Sequence, residues 1–243
     1  MIDIHCHILP HFDDGSSCLE ESLEMARMAV ASGTTAIVST PHFPAKPDFL
    51  EHLPVILGKY NTLRDALEQA GVDLTLIPGA EILCLPDTLR MAENRQLPTI
   101  GDTDYLLTEF YFDESSGYIN RMLENLSAAG YRPVIAHPER YRAVQTDPKL
   151  AEYWFRAGYV LQVNKGSLLG SFGSRPEETA TEMLKRGLVH LIASDAHSAT
   201  QRTPHMVALH RWLRAHCDEE YIRILLDRNS GRLIENREMV PIF

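Results

Sequence analysis

The sequence is poor in the features that mark a secreted, membrane-bound or nucleic-acid-binding chain. Cysteine is scarce, and Cys6, Cys18, Cys84 and Cys217 form no C-x-x-C pair, so neither a disulfide framework nor a zinc ribbon is indicated. They read as reduced thiols in a cytosol. Cationic excess is missing as well: 23 Lys and Arg stand against 33 Asp and Glu, a formal charge of −10 that disfavours a nucleic-acid backbone as partner. No uncharged apolar run reaches transmembrane length, and the opening MIDIHCH has neither a basic n-region nor an apolar h-region. The expectation is a soluble, cytoplasmic protein without membrane insertion. Repeats, low-complexity tracts and linkers are lacking too, and 243 residues at 44% hydrophobic content suit a single domain spanning 1–243.

What is present is alternation. Short β-rich apolar runs occur at 2–7 (IDIHCH), 35–40 (TAIVST), 74–79 (LTLIPG), 105–110 (YLLTEF), 133–137 (PVIAH), 160–165 (VLQVNK) and 190–195 (HLIASD). Helical periodicity follows each of them. The segment 21–33 shows it with Leu23, Ala26, Met28 and Val30 as a stripe and Gly33 as a stop, and the others lie near 50–70, 86–95, 117–129, 148–157, 176–186 and 204–215. Strict βα alternation predicts a parallel sheet buried on both faces, best met by a closed or distorted barrel, with a doubly wound sheet as the alternative. The terminal stretch 218–237 reads as a helix capping that barrel.

The metal-competent side chains fall at the downstream ends of these strands: His5 and His7, His42, Glu81, Glu109, His137, then Asp195 with His197. In parallel barrels those ends open onto one face, where active sites are built. In H-C-H the imidazoles are two apart on a strand and point to one side, while Cys6 points away. Mixed nitrogen and carboxylate donors suit zinc, manganese or iron better than calcium or magnesium. In DDG, either aspartate can be a ligand or turn the chain, with Gly15 allowing positive φ; Asp14 is favoured as ligand and Asp13 as turn. Arg140, in AHPER, carries a planar cationic fork that matches phosphate oxygens, against the alternative of a surface salt bridge with Glu139; Arg202 is a second phosphate candidate.

Two features compete. Cys84 to Arg90 fits C-x5-R, the outline of a cysteine-dependent phosphatase loop, but Pro86 removes a donor, no glycine lies inside, and Asp87 repels a dianion. It reads as a chance match. His52, His190, His205, His210 and His216 have helical or mid-strand surroundings and read as structural, with His205 nearest the site.

The ordered set HCH, DDG, TPH, GAE, TEF, AHPER and SDAH, with GSLLGSFG, resembles the polymerase and histidinol phosphatase (PHP) superfamily. Within it, the chain is similar to the bacterial manganese-dependent protein-tyrosine phosphatases of capsule and exopolysaccharide loci, the CpsB/CapC type. The resemblance implies a distorted (βα)7 TIM-like barrel holding three divalent metal ions, manganese first, with iron or zinc as alternatives. It implies His5, His7, Glu81 and Asp195 on one ion, Glu81 bridging to a second with Glu109 and His137, and Asp14, His42 and His197 on a third. It also implies phosphate contacts from Arg140 and Arg202, with His11 as a further substrate contact. Lys165 stands where a small or uncharged polar residue is expected.

The implied activity is protein-tyrosine-phosphatase hydrolysis by metal-activated hydroxide attacking phosphorus in line, without a phosphoenzyme. The implied partner is an autophosphorylating tyrosine kinase of polysaccharide export. Histidinol phosphate or nucleotide hydrolysis, an amidohydrolase or deoxyribonuclease activity, and a non-catalytic regulatory module are the rival readings. The filled ligand set argues against the last.

Overall fold

The computed structural model describes residues 1–240. Its strands are β1 (Ile2–Cys6), β2 (Ala36–Ser39), β3 (His42–Pro44), β4 (Thr75–Pro78), β5 (Glu81–Leu83), β6 (Tyr105–Glu109), β7 (Arg132–Ala136), β8 (Val160–Asn164) and β9 (Leu191–Ala193). The seven expected strands become nine because two of them are each followed by a further short strand beyond the expected run. The run 35–40 holds β2, with β3 beginning after Pro41, and the run 74–79 holds β4, with β5 beginning after Ala80. Proline cannot donate to a ladder. At Gly79 the chains approach so closely that a Cβ would lie 2.8 Å from Val38 Cγ1.

The added strands belong to a second sheet. β1, β2 and β4 form a three-stranded sheet, and β3, β5, β6, β7, β8 and β9 form a six-stranded one, with every strand pairing parallel. The ring closes between β9 and β1, where Asp195 N–H donates to the His5 carbonyl (2.9 Å) and His7 N–H to the Ala196 carbonyl (2.8 Å). This is a distorted barrel of seven strand positions, as expected, and not a doubly wound sheet.

An inner apolar cluster draws Ile4, Val38, Leu107, Val134, Val160 and Leu191 from six different strands, with Ile77 of β4 packed against it. Side chains that fill the interior of a closed barrel meet in this way. Leu233, from the helix Asn229–Ile234, joins the cluster, so the C-terminal segment does cap the barrel. That segment is three short pieces rather than one helix: Glu219–Arg223, a π-helical turn Ile224–Arg228, and Asn229–Ile234.

The outer helices begin and end on local signals. Leu19–Ala31 starts with Cys18 Sγ accepting from Glu21 N–H, carries Glu20 and Glu21 at its positive end, and stops before Gly33. Its buried face is Ser22, Met25, Ala26 and Ala29; of the expected stripe Ala26 is buried, while Leu23, Met28 and Val30 are half-buried. The observed set follows the i, i+3, i+4, i+7 spacing of one helix face. Short helices at Arg142–Thr146 and Lys165–Leu168 were not expected, and the second ends β8 one residue early.

Candidate metal centre

The strand ends deliver the candidate ligands to one place. Glu81, at the start of β5, lies at the centre: Oε1 is 3.2 Å from His5 Nε2 and 2.9 Å from His137 Nε2, while Oε2 is 3.4 Å from His7 Nε2 and 3.0 Å from His42 Nδ1. Glu109 Oε1 is 3.6 Å from His137 Nε2, and Asp195 Oδ1 is 3.4 Å from His5 Nε2. Asp14 Oδ1 lies 3.3 Å from His42 Nε2 and 3.4 Å from His197 Nε2. Four groups emerge whose donor atoms lie within 4.8 Å of one another: His7, Asp14, His42 and His197; His5, His7 and Glu81; His5, His137 and Asp195; His42, Glu81 and Glu109. The Glu81 oxygens face two imidazoles each, which suits a carboxylate shared between cations. The grouping differs from the implied set in detail, since His7 also belongs with Asp14, and His137 with Asp195.

The hydrogen bonds behind the ligands decide which nitrogen each histidine offers. Asp195 is an acceptor, so Asn164 donates its amide to Asp195 Oδ2 (2.5 Å) and must accept from Gln162 Nε2 at its own Oδ1 (2.8 Å). That turns Gln162 Oε1 towards His5 Nδ1 (2.9 Å), which carries the proton. His7 Nδ1 is fixed likewise by Asp13 Oδ2 (2.8 Å). The two Nε2 lone pairs therefore converge, 3.3 Å apart, among the oxygens of Glu81 and Asp195. Two lone pairs and two carboxylates aimed at one point are a donor set for a divalent cation, with the outer acceptors orienting the rings. The residues present fit a divalent metal cofactor.

The local electrostatics agree. Burial opposes protonation of His5, but Glu81 and Asp195 outweigh it and push the ring up to about 9. Burial likewise opposes charge on His42, while Asp14 and Glu81 push it up to about 11. Bonds from His197 and His42 hold Asp14 well below the usual carboxylate range, and burial beside Glu81 raises Glu109. His137 and His197 go the other way, burial holding both rings below the usual imidazole range, while a cation binding beside His5 and His42 would displace their protons.

Two backbone outliers aim ligands. His137 (φ 38°), directly after β7, and Asp195 (φ 48°), two residues after β9, adopt the left-handed region that non-glycine residues avoid. The DDG loop is held by contact instead. Gly15 does not have positive φ, contrary to expectation; a Cβ there would come 2.2 Å from the His7 carbonyl oxygen, so glycine is needed for close approach. Asp13 turns the chain by accepting from Gly15 N–H (3.0 Å), and its other oxygen takes both His7 Nδ1 and His42 N–H (2.9 Å). It is thus more than a turn residue.

Arg140 and Arg202 close the other side. Arg140 Nη1 is 3.7 Å from Asp195 Oδ2, and Arg202 Nη2 contacts the same oxygen. Arg140 is clamped between aromatic rings, 4.2 Å from the Phe112 centroid and 4.4 Å from that of Phe172, and Phe172 also lies 5.5 Å from Arg202. Arg140 makes no bond to Glu139; that buried carboxylate instead accepts from Asn164 N–H (3.0 Å) and Ser167 Oγ (2.6 Å). Lys165, where a small or uncharged polar residue is expected, is buried, its ammonium donating to the Thr203 and His205 carbonyls, which ties the short helix after β8 to the loop carrying Arg202.

With this geometry in hand, the comparisons with known proteins bear directly on the chain. The family described as "Capsular polysaccharide synthesis, CpsB/CapC" matches residues 1–235. The chain belongs to this family. It is 37% identical over 205 residues to the tyrosine-protein phosphatase YwqE of Bacillus subtilis, covering 84% of this chain and 80% of that one. A solved structure from the report on YwqE of Bacillus subtilis and CpsB of Streptococcus pneumoniae, described as unique metal-dependent tyrosine phosphatases, superposes with a TM-score of 0.87 at 34% identity, covering 100% and 96% of the two chains. A D-hydantoinase from a Bacillus species shares only the fold, with a TM-score of 0.54 at 11% identity over 99% and 73% of the chains. The CpsB/CapC chain is thus a member of a metal-dependent tyrosine-phosphatase family.

Other candidates fall outside the centre. Cys84 is buried, its sulfur 3.7 Å from the Ile82 carbonyl, and burial pushes the thiol up, the reverse of a nucleophile. Arg90 of the C-x5-R outline is exposed and paired with Asp87 (2.9 Å). His11 is exposed, with φ 53°, its N–H bonded to the Ser16 carbonyl; no contact joins its ring to the ligands. His190 accepts from Leu161 N–H (3.1 Å) and stacks on Phe155, a structural role. Among the described residues no helix is long and apolar enough to cross a membrane.

Proposed function

We propose that this chain is a protein-tyrosine phosphatase in which His5, His7, Glu81 and Asp195 hold one divalent cation, Glu81, Glu109 and His137 a second, and Asp14, His42 and His197 a third. The observation that carries the reading is the position of Glu81, whose two oxygens face four imidazoles while Glu109 and Asp195 stand beside them. Divalent cations in that donor set supply Lewis acidity and neutralise the charge of a phosphomonoester. The protein's part is positioning. Arg140 and Arg202 hold the non-bridging oxygens and stabilise equatorial charge in the transition state, with Phe112 and Phe172 fixing the guanidinium planes. A phenol, with a pKa near about 10, leaves more readily than an alkoxide, which favours phosphotyrosine over alkyl phosphates.

Manganese is the proposed ion. Its protein substrate is an autophosphorylating tyrosine kinase of polysaccharide export, met in the cytoplasm; the family's link to capsular polysaccharide synthesis supports this partner. The deciding experiment assays metal-stripped protein, restored in turn with manganese, iron and zinc, on a phosphotyrosine peptide and on histidinol phosphate. The reading requires manganese to restore turnover of the peptide well above that of histidinol phosphate. Preference for histidinol phosphate would overturn the substrate assignment, and turnover without any metal would overturn the centre.

A further inference from the structure

A cleft of about 530 Å³ opens beside Arg140, lined by Tyr111, Phe112, Asp113, Arg142 and Arg175 together with Gln145. Its walls are tied together: Arg142 N–H donates to the Phe112 carbonyl (2.7 Å), and Gln145 Nε2 to the Glu139 carbonyl (2.9 Å). Three guanidinium groups against one carboxylate give this cleft a positive charge in a protein whose formal charge is −10. Arg142 and Arg175 are both exposed, and among the described residues neither is in a salt bridge, so both guanidinium groups are open to a ligand.

We infer that this cleft receives the side-chain carboxylate of an Asp or Glu flanking the phosphotyrosine in the substrate chain, which makes Arg142 and Arg175 specificity-determining residues. The inference rests on the phosphotyrosine reading of the centre. Arg140 faces both places, in contact with Asp195 on one side and lining the cleft on the other. An extended peptide advances about 3.3 Å per residue, so a residue one to three positions from the phosphotyrosine reaches the cleft. A guanidinium fork matches a carboxylate in geometry and charge. Asp113 in the lining opposes a phosphate dianion more than a monoanion, which favours a carboxylate over a second phosphotyrosine. Exposed rings of Tyr111 and Phe112 offer apolar faces to the intervening chain.

The test compares kcat/KM of the manganese-loaded enzyme on phosphotyrosine peptides that differ only by Glu or Gln within three positions of the phosphotyrosine. Para-nitrophenyl phosphate, which has no flanking chain, is the control. Wild type is expected to prefer a Glu peptide by about 3- to 10-fold at low salt, mainly through KM, with the preference shrinking as salt is raised. In Arg142→Ala/Arg175→Ala the preference falls to unity while para-nitrophenyl phosphate turnover is unchanged. Arg142→Glu/Arg175→Glu, which guards against a silent truncation, should reverse the preference towards Lys peptides. Equal rates on Glu and Gln peptides at every position in wild type, or a preference surviving in the double variants, would overturn the inference. So would a gain from a second phosphotyrosine with none from Glu. Failure of the underlying reading looks different: neither peptide is turned over although para-nitrophenyl phosphate is, and both proposals then fall.

Discussion

Two stretches of this chain carry groups able to do phosphate chemistry, and the barrel treats them in opposite ways. At the end of β1, His5 and His7 are fully buried, yet each has one nitrogen held by an acceptor behind it and the other aimed at carboxylates. Just beyond β5, Cys84 is also buried, but its sulfur bonds only to the Ile82 carbonyl among the described residues, and burial together with the charge of Glu109 holds its thiol protonated. Burial is common to both. What separates them is polar backing, because a buried group becomes reactive only when its surroundings stabilise the form that reacts.

Variants of the centre test this contrast most severely. His7→Ala and Asp195→Ala each remove a donor from the point where two or more groups meet, and turnover of a phosphotyrosine peptide should fall by more than about 100-fold, beyond the effect typical of outer-sphere changes. Bound metal, measured by elemental analysis after gel filtration, should fall with it. Retained activity in metal-depleted His7→Ala protein would contradict the ligand assignment.

Removing the backing while keeping the ligands sharpens the comparison. Gln162→Ala and Asp13→Asn should weaken metal affinity by about 10- to 100-fold, with activity recovered in excess manganese. Irrecoverable loss at saturating metal would show that these residues act on substrate directly. Next in size is Phe172→Ala, which takes one ring from the Arg140 clamp and leaves Arg202 without its own. A cation–π contact contributes about 1 kcal/mol, so KM should rise by about 5-fold with bound metal unchanged. The smallest effect belongs to the other side of the contrast. Cys84→Ser should leave kcat/KM within about 2-fold, apart from a small loss of stability from a hydroxyl in an apolar pocket.

Much of this was legible before the structure. Candidate ligands at the downstream ends of successive strands pointed to a barrel and to the face on which they would meet, since parallel strands bring those ends together. The extra strands β3 and β5 were not legible, because three residues are too few for a strand pattern to show beyond the runs that precede them. The backing from Gln162 and Asn164 was not read; two polar residues at alternate positions of an otherwise apolar, buried strand were the available signal. Arg140 stood out in AHPER, but its clamp did not, because Phe172 lies on a distant loop and no local pattern links them. What a lysine does at position 165, where a small or uncharged polar residue is expected, was hidden for the same reason, its partners being carbonyls at positions 203 and 205.

The central claim is that the reaction is run by the buried histidine and carboxylate centre and not by a thiol. It is tested most directly by following phosphotyrosine-peptide hydrolysis by wild type and Cys84→Ser through chelator treatment, gel filtration and addition of manganese. Both proteins should lose activity on chelation and regain it with manganese. Activity that survives chelation in wild type and disappears in Cys84→Ser would contradict the account.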